Sequence, residues 1–204
     1  MSKETKTKEK IDMDPKYLIN LTVTLLLTCI IVAGLLGAVN SVTAGPIAQI
    51  NKEKTEAAMR EVVADPASTF SDALAISDAM AAATAAAGGT LDSAYEVQMN
   101  GTGVGYAVKV IAGGSQGDIQ MMVGVDADGV VTGVSIIKNA ETSGIGSKVM
   151  KNENGVLDQF VGKSAADGAL TVGTNVDAIT GATVSTRGVA AGVNAAMAAV
   201  AAIG

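Results

Sequence analysis

Residues 119–138 read IQMMVGVDADGVVTGVSIIK. Two runs rich in β-branched and other apolar residues flank the turn-forming sequence Asp126-Ala-Asp-Gly129, a pattern typical of a β-hairpin. Asp-x-Asp-Gly also occurs in calcium-binding loops, but the further oxygen ligands and the closing Glu of such a loop are missing here. Turn chemistry is therefore the better interpretation, and the sequence predicts an antiparallel strand pair.

More strands and several helices are predicted on either side of this hairpin. Short runs rich in β-branched residues at 95–99 and 105–111 precede it and are separated by glycines, which favours further strands. Helices are expected over three segments, namely 71–87, which is rich in Ala and followed by Gly88-Gly89, a short stretch around 156–161, and 186–203. The predicted fold class is α+β, with a central antiparallel sheet and flanking helices.

A long uncharged apolar segment lies near the amino terminus. Residues 18–39 read LINLTVTLLLTCIIVAGLLGAV, and these 22 residues would extend about 33 Å as a helix, enough for a bilayer core of about 30 Å. A cleaved signal peptide is the alternative, but its apolar region usually runs about 7–15 residues. We expect a transmembrane helix over residues 17–40.

The distribution of positive charge predicts the orientation of this helix. Five lysines precede it, whereas the next positive residues after it are Lys52 and Lys54. The positive-inside rule therefore places residues 1–16 in the cytoplasm and the rest of the chain outside a bacterial plasma membrane. The preceding lysines are Lys3, Lys6, Lys8, Lys10 and Lys16.

The chain beyond the span is expected to form two parts. Residues 41–90 are predicted to be a helical connector, with a helix that begins at Pro46 and runs to residue 63. Residues 91–204 are predicted to form the functional domain.

Composition excludes several kinds of chemistry. The 204-residue chain has no His, one Cys and a formal net charge of −6. The absence of His excludes catalysis by a His-containing triad, and a single Cys cannot hold an iron–sulfur cluster. Five aromatic residues and an acidic balance also argue against nucleic-acid binding. Any redox chemistry must come from a cofactor that needs neither His nor clustered Cys.

Two segments with glycines and hydroxyl side chains are candidates for a binding site. Glu141-Thr-Ser-Gly-Ile-Gly-Ser-Lys148 follows the hairpin, and Asp177-Ala-Ile-Thr-Gly-Ala-Thr-Val-Ser-Thr186 precedes the last helix. Each segment has a plain alternative, in which Thr142 or Ser143 caps one helix and the hydroxyls of 180–183 cap the other. In the functional interpretation, unsatisfied N–H groups and the helix dipole bind an anion.

The two segments together resemble the FMN-binding domain family. Asp-Ala-Ile-Thr-Gly-Ala-Thr is similar to the flavinylation motif of that family, and Glu-Thr-Ser-Gly-Ile-Gly is similar to its Glu-Thr-Pro-Gly-Leu-Gly loop. The flavin-carrying subunits of Rnf-type complexes and of the sodium-pumping NADH:quinone oxidoreductase belong to this family. Asn139, Ser143 and Ile145 stand where the family often has His, Pro and Leu.

The resemblance implies roles for individual residues. Thr183 would carry FMN through a phosphoester bond made by a flavin transferase that takes FMN from FAD. Asp177 and Thr180 would be recognised by that transferase or would position the phosphate, while Gly181 and Ala182 would permit close approach. The other loop would lie along the flavin, with a hydrogen bond from its Thr and an apolar face from its Ile. That loop consists of Glu141, Thr142, Ser143, Gly144, Ile145 and Gly146.

The resemblance also implies an activity. The chain would be an electron-carrier subunit of a membrane-bound Rnf-type ferredoxin:NAD oxidoreductase coupled to sodium or proton translocation, with the other subunits of that complex as partners. Such a carrier needs no acid or base catalytic residue and no metal of its own. The alternatives are a stand-alone membrane-tethered flavoprotein reductase and a tethered interaction domain without redox chemistry.

Overall fold

The computed structural model describes residues 15–63 and 65–203. The chain divides into two compact units, Met1–Asn51 and Lys52–Gly204. Most of the predicted cytoplasmic tail lies outside the described residues.

The first helix, α1, spans Pro15–Glu61. It is long and apolar enough to cross a membrane, and none of its most apolar window is buried. Pro46 lies inside α1, so the expectation that a new helix begins there is wrong. Proline removes one backbone hydrogen bond but keeps a helical φ, and the preceding residue, Gly45, lacks the Cβ that usually clashes with a proline ring.

The second unit is built on a five-stranded antiparallel sheet with strand order β1-β2-β3-β4-β5, which confirms the α+β prediction. The same unit contains the helices α2, α3 and α4. The strands are β1 (Thr69–Phe70), β2 (Gly89–Met99), β3 (Thr102–Gly113), β4 (Asp118–Asp126) and β5 (Val131–Lys138). The helices are α2 (Asp78–Ala86), α3 (Gly146–Met150) and α4 (Thr183–Ala201).

The predicted hairpin is confirmed as β4 and β5. The Asp126 carboxylate accepts hydrogen bonds from the N–H groups of Asp128 and Val130, both 2.9 Å long. Gly129 has φ +78°, which the turn requires and a glycine tolerates. The Asp-x-Asp-Gly sequence therefore serves the turn.

Both faces of the sheet are covered. On one face, α4 packs with its buried Val189 and Val193 among side chains such as Val110 and Met121. On the other face, the last turn of α1 and the residue after it form a smaller cluster of Ala58, Met59, Val62, Val97, Ala107 and Met122. Every residue from Met121 to Val125 of β4 is consequently buried.

The remaining helices differ in part from the sequence prediction. The Ala-rich helix is shorter than expected and begins after Ser77, whose side chain accepts a hydrogen bond from the N–H of Met80. The terminal helix α4 begins three residues earlier than expected. The short helix predicted around 156–161 is present as a 3-10 helix, Asp158–Phe160, and a second 3-10 helix, Glu153–Gly155, precedes it. Left-handed residues at Asn152, Asn154 and Gly155 lie before this segment and separate it from α3.

Candidate functional site

The amino-terminal end of α4 contains the residue predicted to carry the flavin. Thr183 is the first residue of the helix, and Ala182 is its N-cap. No side chain in the described chain caps this end, so the expectation that hydroxyls of residues 180–183 form the cap is wrong. The first N–H groups of an α-helix have no partner within the helix. This end can therefore accept an anion.

The turn before α4 brings Thr183 to the surface. Gly181 has φ +84° and is exposed, while the Ala182 side chain is buried in the core. The N–H of Ala182 donates to the carbonyl of Ile179 at 2.8 Å. Gly181 thus permits the left-handed turn and Ala182 anchors it, leaving Thr183 half-buried at its edge.

The Glu-Thr loop is a compact turn that leads into α3. Its Gly144 has φ +93°, and the Gly144 N–H donates to the Ser147 hydroxyl at 2.9 Å. Thr142 and Ser143 are exposed. The N-cap of α3 is Ile145 and no side chain caps the helix within the described residues, so the expectation that Thr142 or Ser143 is the cap is wrong.

Glu141 connects this loop to two distant parts of the chain. Its Oε1 accepts hydrogen bonds from the N–H groups of Ser115 (2.6 Å) and Gln116 (3.3 Å) in the turn between β3 and β4. Its Oε2 accepts a 2.5 Å hydrogen bond from the hydroxyl of Ser185, in the first turn of α4. Sequence reasoning missed these contacts, because Ser115, Gln116 and Ser185 are separated from Glu141 by 25 to 44 residues.

Two glycines give the Glu141 carboxylate the space that it occupies. A Cβ on Gly114 would collide with Oε1, and a Cβ on Gly146 would collide with Oε2. The carboxylate is thus enclosed by backbone on two sides. Gly146, at the end of the Glu-Thr-Ser-Gly-Ile-Gly loop, is therefore required for packing against the Glu141 carboxylate, whether or not it also permits a ligand to approach.

Ile145 of the first segment lies near Gly181 of the second, which has no Cβ of its own. A Cβ placed on Gly181 would lie 3.8 Å from Ile145 Cγ2, which is ordinary van der Waals contact. Ile145 and Val184 are both more than half exposed, at 54% and 52%. The structure therefore places an apolar side chain from each segment at the surface, and Val184 directly follows Thr183 in the chain.

A cleft of about 530 Å³ lies next to the second motif. Four consecutive motif residues, Asp177–Thr180, line one side of it, and Lys148 of α3 lines it as well. Known ligand pockets have volumes of about 300–1,000 Å³. The remaining lining residues are Asn154, Gly155, Val156 and Gln159.

Gln159 fixes the backbone at the start of the motif, a contact that sequence reasoning missed. Its amide oxygen accepts a 2.7 Å hydrogen bond from the N–H of Asp177, and its Nε2 donates to the carbonyl of Asp177 at 2.9 Å. The Asp177 side chain is exposed, as is Thr180. Both are thus accessible to a partner protein.

These features fit an FMN group. The uncapped end of α4 suits the phosphate, the hydroxyl of Thr183 lies there, and the neighbouring cleft has the volume of a ligand site. The Glu141 carboxylate does not fit a direct contact with FMN, because both of its oxygens already accept hydrogen bonds from protein groups.

Comparison with known proteins finds related chains over this region. A family model described as the FMN-binding domain matches residues 114–198, a range that includes both candidate segments. The chain is similar to the G subunit of the Na(+)-translocating ferredoxin:NAD(+) oxidoreductase complex of Acetobacterium woodii, with 36% identity over 199 residues that cover 92% of this chain and 94% of the relative.

Two further similarities extend the comparison. The G subunit of the ion-translocating oxidoreductase complex of Escherichia coli O157:H7 is 31% identical over 163 residues, which cover 76% of this chain and 78% of that protein. The crystal structure of Shewanella oneidensis NqrC matches with a TM-score of 0.42 and 26% identity, covering 50% of this chain and 53% of that one. The first two relatives therefore match over most of their length.

Proposed function

We propose that this chain, which belongs to the family of G subunits of ion-translocating Rnf-type oxidoreductase complexes, carries electrons through FMN attached covalently to Thr183. One observation carries the proposal. Thr183 is the first residue of α4, a 19-residue helix whose amino-terminal end has no side-chain cap in the described chain. A phosphate ester at Thr183 would lie at this end, where the helix dipole favours negative charge.

The attachment requires a flavin transferase and FAD. The Thr183 Oγ–phosphorus bond forms, the pyrophosphate bond of FAD breaks, and AMP leaves, while the proton of the hydroxyl passes to the transferase or to water. No electron is transferred in this step. The exposed Asp177 and Thr180 are available to be recognised by the transferase.

The cleft beside Thr180 is the site that we propose for the flavin ring. None of residues 141–146 is among those that line this cleft, so the proposed placement differs from the expectation that their loop lies along the flavin. Bound FMN supplies the redox chemistry, and the residues of the chain bind and orient it. Lys148 lines the cleft, and the described chain contains no ion-pair partner for it. Its ammonium would therefore stabilise negative charge on the reduced flavin.

The relatives favour a role inside a larger complex. We propose that the chain passes electrons between other subunits of an assembly that couples electron flow between ferredoxin and NAD to sodium or proton transport. In this arrangement residues 1–16 are cytoplasmic, residues 17–40 of α1 span the plasma membrane, and residues 91–204 form the FMN-binding domain on the outer side.

Intact mass measurement tests the attachment. The full chain is co-expressed with a flavin transferase, purified in detergent and denatured, alongside Thr183→Val and the control Thr174→Val, which removes an exposed hydroxyl outside the two candidate segments. We expect the parent and the control to gain the mass of one FMN and to fluoresce in a gel, and Thr183→Val to show neither signal. An unmodified parent would refute the attachment and favour a tethered interaction domain.

A further inference from the structure

We propose that Glu141 is a positioning residue that fixes the first turn of α4, and with it Thr183, for flavin attachment. The inference rests on the proposed function. In this proposal Glu141 acts through its hydrogen bond with Ser185 and does not contact the flavin.

The hydrogen bonds of Glu141 support this assignment. Each carboxylate oxygen has at least one protein donor, with Ser115 and Gln116 on one side and Ser185 on the other. Ser185 is only 1% exposed. A carboxylate held in this way has little remaining capacity for a ligand, whereas hydrogen bonds to a charged group are among the stronger ones in proteins.

The contact leaves the end of α4 open for an anion. An acidic N-cap would normally accept a hydrogen bond from a backbone N–H of the first turn. The Glu141 carboxylate instead accepts a hydrogen bond from the side-chain hydroxyl of Ser185, which is the third residue of α4. The carboxylate therefore fixes the turn without using the N–H groups that a phosphate needs.

Neighbouring residues, inside and outside the Glu-Thr loop, fix the position of Glu141 itself. The Glu141 N–H donates to Oδ1 of Asn139 at 3.1 Å. Gly114 and Gly146 enclose the carboxylate, since a Cβ on either would collide with one of its oxygens. The turn between β3 and β4, the Glu-Thr loop and the first turn of α4 are thus joined at one carboxylate.

Glutamine can replace Glu141 in this arrangement because serine both donates and accepts. The Gln oxygen would accept from Ser115 while its NH₂ group donates to the Ser185 hydroxyl. Alanine offers neither group. If Glu141 acts by positioning, Glu141→Gln should retain the rate of flavin attachment that Glu141→Ala loses. Substitutions at 141 and 185 should also be non-additive, because they break the same contact.

The test is the rate of flavin attachment to the purified full chain in detergent. Each apo variant is mixed with flavin transferase and FAD well below its melting temperature, and in-gel fluorescence is followed over time. The variants are Glu141→Ala, Glu141→Gln, Ser185→Ala and the double variant Glu141→Ala/Ser185→Ala. Glu153→Ala serves as the control, since Glu153 is exposed and its side chain makes no hydrogen bond or ion pair among the described residues.

We expect Ser185→Ala to slow attachment about tenfold, the effect of losing one charge-assisted hydrogen bond. Glu141→Ala should slow attachment at least as much, since it loses this bond and the two from Ser115 and Gln116. Glu141→Gln should stay within about threefold of the parent, and the double variant should be no slower than Glu141→Ala. A parental rate for Glu141→Ala, or multiplied effects in the double variant, would overturn the inference. If Glu141→Ala does not fold, Ser185→Ala decides the question by the same criterion. A parent that takes up no FMN would instead refute the proposed attachment.

Discussion

The Ser185 hydroxyl donates a 2.5 Å hydrogen bond to Oε2 of Glu141, which precedes it by 44 residues. This contact joins the loop after β5 to the first turn of α4. Ile145 also lies near Gly181, so the two segments approach each other at the start of α4. The geometry around Glu141 leads to the first prediction.

Gly114→Ala should destabilise the domain. The added Cβ would collide with the Glu141 carboxylate and would lie 2.8 Å from the carbonyl oxygen of Gly117. We expect a loss of about 1–3 kcal/mol in the free energy of unfolding, measured by urea unfolding of the full chain in detergent with circular dichroism.

The adjacent Gly113 provides the control for this prediction. No atom lies within 4 Å of a Cβ on Gly113, and its φ is not in the left-handed region. Gly113→Ala should therefore change the free energy of unfolding by no more than about 0.5 kcal/mol. Equal effects of the two substitutions would contradict the crowding around Glu141.

The two glycines of α4 should respond differently to alanine. Alanine in a helix is favoured over glycine by about 1 kcal/mol. A Cβ on Gly188 would collide with the backbone carbonyl of Gly113, which cannot move aside, whereas a Cβ on Gly192 would lie 2.6 Å from the flexible end of Met121.

We therefore expect Gly188→Ala to lower the free energy of unfolding by about 1–3 kcal/mol and Gly192→Ala to change it by less than about 1 kcal/mol. The same unfolding measurement compares the two variants. Similar losses in both would mean that α4 can shift over the sheet.

Local chemistry explains which parts of the fold were predictable. The hairpin between β4 and β5 follows from the turn residues at 126–129 and the apolar runs beside them, all close in sequence. The short helix expected at 156–161 is present as the 3-10 helix Asp158–Phe160. The continuation of α1 through Pro46 was missed because Gly45 reduces the usual clash before proline.

The candidate site was only partly predictable. The two candidate segments, 141–148 and 177–186, were singled out from their own residues. The donors to Glu141 are not evident from the sequence, because Ser115 and Ser185 come near it only when the sheet and α4 pack together. Gln159 was missed for the same reason, since its side chain bonds to backbone atoms 18 residues away.

Lys148 should raise the reduction potential of the proposed covalent flavin. A cation in the cleft stabilises the negative charge that reduction adds, so Lys148→Gln should lower the midpoint potential. An exposed charge pair contributes about 0.2–1 kcal/mol, which corresponds to roughly 5–20 mV for a two-electron couple. Spectroelectrochemical titration of the flavinylated full chain measures the shift.

Lys151 is the matched control for this measurement. It is also exposed and lies just after α3, but it lines a different cleft, beside β5. Lys151→Gln should leave the potential unchanged. An equal shift in both variants would indicate a general effect of surface charge and would argue against a flavin ring beside Lys148.

The proposed orientation predicts which side of the membrane is accessible to a thiol reagent. The chain has one cysteine, Cys29, and replacing it with alanine gives a background without thiols. Asp128→Cys would place a thiol in the exposed turn between β4 and β5, and Ser2→Cys would place one before the span.

A membrane-impermeant maleimide added to intact spheroplasts should label Asp128→Cys fully and Ser2→Cys only after lysis. This pattern is expected because five lysines precede the apolar segment, and a positively charged flank stays in the cytoplasm. Labelling of Ser2→Cys in intact spheroplasts, with Asp128→Cys protected, would place the FMN-binding domain in the cytoplasm. Electron transfer on the outer side of the membrane would then be excluded, even if Thr183 carried FMN.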